Sequence, residues 1–319
     1  MLRIPQGMFR GSRPAPLDKK PSVGHYAPHR INDPGEPMLG AVVRFLLKQK
    51  VKIVVIACNT ATAYGLDAAR ELVEREGGGV RLIGVVDAGA RDAVAVGLAT
   101  ADGRPWSIGV LATNGTVLSG VYERSIRAEL VRCGVTDDVR IFSRGCPGLA
   151  DAVEGDDQWA HEIAGGYLRA LLGEQKAKAP NAPMRAIVLG CTHFPYVRGE
   201  LERMVPDVRF VDPAASASIA CHKALAEDGL LAGGVDPAQV DAYVSVPSKS
   251  TPAACLDGRG WFSRAYKYNR CDANDGSTTI MSVGEALESG ILPFPRYLNA
   301  LPAFSGYIKN FRKTNRRQK

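Results

Sequence analysis

The chain has 319 residues, of which 45% are hydrophobic and 23% charged. That is ordinary for a globular protein and more than one compact core usually takes. Its net charge of +7 sits at the two ends: five basic residues fall in the last nine positions, and five against a single Asp in the first twenty. The body is left slightly acidic, so no specific nucleic-acid partner is expected. No apolar run reaches the roughly 18 residues of a membrane span. Residues 1–20 lack the apolar segment of a secretory signal, so no membrane association and a cytoplasmic location are expected.

Residues 1–36 are rich in Pro, Gly and Arg and read as irregular. From Met38 the pattern becomes regular. The spacing predicts a helix over 38–50, then a β-branched run, Val51 to Ala57, of the kind buried on both faces of a parallel sheet. A helix from Thr60 to Glu76 ends at Gly77-Gly78-Gly79. Further strands are expected at 81–86, 107–111, 139–142, 185–190, 207–211 and 240–244. Helices are expected at 87–98, 115–132, 157–173, 196–204 and 214–228. Such alternation predicts an α/β fold, doubly wound, with mainly parallel sheets. Residues 245–319, with clustered Pro, Gly, Ser and Asn, read as a C-terminal extension of unknown role.

The seven cysteines form no Cys-x-x-Cys pair. Their odd number and spread fit neither a disulfide framework nor a zinc ribbon, and suggest reduced thiols. Two of them share a setting. VKIVVIA runs into Cys58-Asn59-Thr60, and MRAIVLG runs into Cys191-Thr192-His193. Each is an apolar strand, a cysteine, a polar pair and a helix start. The repeat points to two pseudosymmetric halves, each with a cysteine at the carboxyl end of a parallel strand, where open α/β sheets place ligands. A helix start there favours thiolate. A single such cysteine is commonly structural; two in one layout point to shared chemistry.

Racemisation suits opposed thiols. A proton leaves one face of a carbon and another arrives on the opposite face, so one group acts as thiolate and the other as thiol. Asn59, Thr60, Thr116 and Thr192 are placed to supply donors to a carboxylate. Other chemistries stay open at this point. Cys191 and His193 could ligate a metal, although no partner pair has suitable spacing. They could also form a Cys–His nucleophile couple. On pattern alone Glu154 is a solvated helix-end residue and Cys146, in Gly145-Cys146-Pro147-Gly148, a structural thiol in a turn. Cys133, Cys221, Cys255 and Cys271 show no special setting. Nucleotide fingerprints are absent: Gly77-Gly78-Gly79 follows a helix rather than a strand.

The segments IACNTATA (56–63), IGVLATNGTVLSGVYERSI (108–126), VEG (153–155) and IVLGCTHFPYV (187–197) resemble glutamate racemase, of the aspartate/glutamate racemase superfamily. Order and spacing agree from about residue 38 to about 230. The resemblance implies a two-domain α/β enzyme that acts on an amino acid between its halves, with no cofactor and no metal. It implies Cys58 and Cys191 as the two bases, with His193 and Glu154 as further catalytic residues. Asn59, Thr60, Thr116 and Thr192 would bind or orient substrate. A homodimer and a product, D-glutamate, destined for peptidoglycan are implied as well. The expected domains are 1–86 with 212–244, then 87–211, then the extension. The family also opens with a strand and an Asp-Ser-Gly-Val-Gly-Gly loop, which is not legible in residues 1–22. Two readings therefore stand: an active racemase of glutamate or a related substrate, and an impaired homologue kept for binding.

Overall fold

The computed structural model describes residues 38–135, 138–154, 159–233, 243–246 and 279–282. Helix α1 (Met38–Lys48) leads into strand β1 (Ile53–Ile56), helix α2 (Asn59–Glu76), strand β2 (Arg81–Gly84) and helix α3 (Val85–Ala99). β1 and β2 pair in parallel, from Ile53 opposite Arg81 to Ile56 opposite Gly84. In α1, Leu39, Val43, Leu46 and Leu47 recur at helical spacing. They close a core with Val54 and Ile56 of β1 and Ala69, Leu72 and Val73 of α2.

A larger unit follows. Strand β3 (Trp106–Ala112), helices α4 (Asn114–Leu118) and α5 (Val121–Arg132), strand β4 (Val139–Gly145) and helices α6 (Leu149–Glu154) and α7 (Ala160–Lys178) come first. Strand β5 (Met184–Gly190), a 3-10 turn (Phe194–Val197), helix α8 (Arg198–Met204) and strand β6 (Arg209–Val211) complete it, and helix α9 (Pro213–Glu227) packs back on α3 and β2. The four strands form one parallel sheet in the order β4-β3-β5-β6. Every residue of β3 is buried, as an apolar central strand requires. Ile108 and Val110 face a core with Ala93, Val94, Ile126 and Val188. Leu111, on the other face, joins Leu168, Leu171, Leu189 and Phe194. Helices thus cover both faces, and the fold is mixed α/β with parallel sheets, as the alternation predicts.

The differences are local. The helix expected over 115–132 is two helices, because Gly120 takes a left-handed φ of 66° that breaks the run after Ser119. The segment 196–204 begins as a 3-10 turn containing Pro195, whose missing N–H suits a helix start. Val85 and Val86, expected in the second strand, already belong to α3. The strand expected at 240–244 appears as β7 (Tyr243–Val246), which pairs antiparallel with β8 (Thr279–Ser282) rather than joining the parallel alternation. The expectation about residues 1–22, and most of 245–319, lie outside the described residues. Among the described residues no helix is long and apolar enough to cross a membrane.

Candidate active site

In the four-stranded sheet the chain leaves β3 for β4 on one side, then crosses to β5 on the other. The carboxyl ends of β3 and β5 flank that switch, the place where open α/β sheets bind ligands. Thr113 follows β3 directly, and Cys191 follows β5. Cys58 lies two residues beyond β1, at the carboxyl end of the other sheet.

The Cys58 turn is tightly tied. Cys58 caps α2, its Sγ accepting from the Ala61 amide at 3.4 Å. The Thr62 hydroxyl, buried, donates to the Cys58 carbonyl (2.9 Å) and lies 3.1 Å from that of Ile56. Thr60 meets two threonines of the β3–α4 turn: its hydroxyl stands 2.9 Å from that of Thr113 and 3.0 Å from that of Thr116. Those two are 3.0 Å apart, so three hydroxyls form a triangle between the two sheets. Next to Cys58, Asn59 is buried and its Oδ1 accepts from the Tyr122 hydroxyl at 2.6 Å. Tyr64 donates to the Gly115 carbonyl at 2.8 Å.

On the second side, Cys191 is buried and its sulfur lies 3.5 Å from His193 Nδ1. Thr192 Oγ1 lies 3.4 Å from the same nitrogen. Glu154 ends α6, which packs on the Phe194–Val197 turn just beyond Cys191; its side chain lies outside the description. Cys146, directly after β4, is buried in the same core as Cys191, its amide bonded to the Ala112 carbonyl at 2.8 Å.

Electrostatics link these thiols. Cys58 is held above its ordinary pKa, chiefly by desolvation; the amides of Ala61 and Thr60 pull the other way, and the charge of Cys191 adds to the rise. Cys58 is exposed at its surface, which moderates the desolvation, but the direction is upward. The helix start alone would lower the thiol. Here desolvation and a second cysteine outweigh it, a correction to the expectation of a depressed pKa. Burial also pushes Cys146 up, with Cys191 again contributing. Cys191 therefore lies within electrostatic reach of both. Among the described residues no group of three His, Cys, Asp or Glu is arranged to hold a metal.

Of the residues singled out by sequence, Thr60 and Thr116 share one hydroxyl cluster, Cys58 caps the same turn and Asn59 bonds to Tyr122 beside it, while Cys191, Thr192 and His193 form a second group. Thr113, Thr62 and Tyr122 were missed. All three fall inside the segments quoted for the family resemblance, which is the one signal that could have found them.

The Asp/Glu/Hydantoin racemase family matches residues 22–220. The glutamate racemase of Syntrophus aciditrophicus is 36% identical over 190 residues, 58% of this chain and 60% of that one. That of Symbiobacterium thermophilum is 34% identical over 215 residues, 67% and 70%. The chain thus spans about 60% of the length of several of these curated relatives. Among solved structures, glutamate racemase isoform RacE1 of Bacillus anthracis superposes with a TM-score of 0.50 at 28% identity, covering 66% of this chain and 71% of that one. Both the family match and the parallel α/β fold lead to one statement: the chain belongs to the Asp/Glu/Hydantoin racemase family.

Proposed function

We propose that this chain interconverts L- and D-glutamate by a two-base mechanism at Cys58 and Cys191, without a cofactor. The observation that supports the reading is the matched setting of the two thiols. They end parallel strands of two different sheets, and the charge of Cys191 is among the influences that raise Cys58. The curated relatives, glutamate racemases by name, supply the substrate.

One sulfur, as thiolate, takes the α-proton; the Cα–H bond breaks, an S–H bond forms, and the electron pair spreads toward the substrate carboxylate. The other sulfur, as thiol, returns its proton to the opposite face, leaving a thiolate. Roles reverse for the reverse reaction. Asn59, Thr60, Thr116 and Thr192 supply donors to the carboxylate as charge develops. His193, beside Cys191, orients or shuttles its proton, and Glu154 serves the same side of the site. D-glutamate made this way would supply peptidoglycan synthesis.

The test is circular dichroism of L- and D-glutamate solutions with enzyme, with aspartate and a hydantoin in parallel. Each glutamate enantiomer should decay to the racemate. Racemisation of aspartate or hydantoin alone would move the substrate within the family. Silence on all three would sink the reading.

A further inference from the structure

Tyr122, from the first turn of α5, is 2% exposed and touches both cysteine turns. Its hydroxyl donates to Asn59 Oδ1 at 2.6 Å, one residue after Cys58. Its ring lies against Gly190, one residue before Cys191: a Cβ placed on Gly190 would stand 3.1 Å from Tyr122 Cε2. A Cβ on Gly89 would stand 3.4 Å from the hydroxyl. Two glycines therefore shape the slot, and the ring fills it.

The hydroxyl keeps its proton. Burial, then the charges of Asp212, Asp87 and Cys191, push its pKa far up. It therefore acts as a neutral donor at any working pH. That fixes the direction of the Asn59 amide. With Oδ1 held by Tyr122 the amide cannot flip without losing that bond, and no protein acceptor among the described residues takes the Nδ2 hydrogens. An amide held this way keeps both of its donors available. Those donors suit an acceptor such as a carboxylate oxygen.

We infer that Tyr122 is a positioning residue: its ring registers the Cys191 turn and its hydroxyl turns the Asn59 amide toward a substrate carboxylate beside Cys58. The role at substrate rests on the racemase reading; the mechanical link between the two turns does not.

The experiment is a double-mutant cycle of Tyr122→Phe and Asn59→Ala, with two readouts. In glutamate racemisation, Tyr122→Phe keeps the ring and should lower kcat/KM at least tenfold, with KM taking the larger share. In the Asn59→Ala background the same change should cost less than twofold, because its route is already gone. A loss equal in both backgrounds, or a single-variant kcat/KM within twofold of wild type, overturns the inference. The second readout needs no activity: alkylation of Cys58 by iodoacetamide, followed by peptide mass, with exposed Cys133 as internal reference. Releasing Asn59 should change the Cys58 rate at least threefold in either variant and leave Cys133 unchanged. If wild type racemises nothing, the racemase reading falls and this ratio alone decides the link. An unchanged ratio overturns it, and Asn59→Ala supplies that ratio even if Tyr122→Phe does not fold.

Discussion

At Cys58 two influences compete. Backbone amides at the start of α2 favour the thiolate, while desolvation and the neighbouring Cys191 favour the thiol, and the thiol prevails. The resting site therefore holds little Cys58 thiolate near neutral pH. We expect alkylation of Cys58 by iodoacetamide to quicken by up to about tenfold per pH unit between about pH 7 and 9, since the thiolate is the nucleophile. An alkylation rate at Cys58 that levels off near pH 7 would show its thiolate already formed and contradict this balance. Stability should follow the same sign. Cys58 and Cys146 bind their protons more tightly folded than unfolded. Their contribution is intact below the unfolded thiol range, about 8.5, and is lost as pH rises through their folded values. Thermal melts should thus show Tm falling above about pH 9. Replacing either Cys58 or Cys191 by Ala should remove at least about 1,000-fold of the racemisation rate, since each direction needs both sulfurs. Melting curves of both variants should stay close to wild type, and a Cys→Ala variant with near wild-type turnover would end the two-base account.

Among the elements, β5 aims Cys191 and depends on its last residue. Gly190 opposes Ala112 of β3, and a Cβ there would stand 2.8 Å from the Ala112 methyl and 3.1 Å from the Leu111 carbonyl oxygen. Backbone cannot give way as a flexible side chain can. Gly190→Ala should therefore cost about 1–3 kcal/mol in urea unfolding; an unchanged midpoint would mean that the strand end is looser than described. The strands themselves were legible because a buried parallel strand has to be a continuous apolar run, as at Val51 to Ala57 and Met184 to Gly190. Helix continuity was less legible. The break at Gly120 turns on one residue in a left-handed conformation, which apolar periodicity does not register. Equally hidden was the antiparallel partner of Tyr243–Val246, since a partner strand at Thr279–Ser282 leaves no local mark.

For the molecule as a whole, the layout rests on two parallel sheets with separate cores, joined where chemistry is proposed. The hydroxyl triangle of Thr60, Thr113 and Thr116 and the Tyr122–Asn59 bond span the join. These contacts link residues 53 to 63 positions apart. For that reason the sequence offered Cys58 and Cys191 through their matched flanks but not Thr113 or Tyr122, whose importance lies in what they meet across space. Racemisation with one thiol per half makes a specific demand on isotopes. The most direct measurement follows L-glutamate in D₂O at early times by mass and proton spectroscopy. Two bases predict that the first D-glutamate formed carries deuterium at Cα while the remaining L-glutamate keeps its protium. D-glutamate that retains the original hydrogen would mean one group serving both faces, and would contradict the pairing of Cys58 with Cys191.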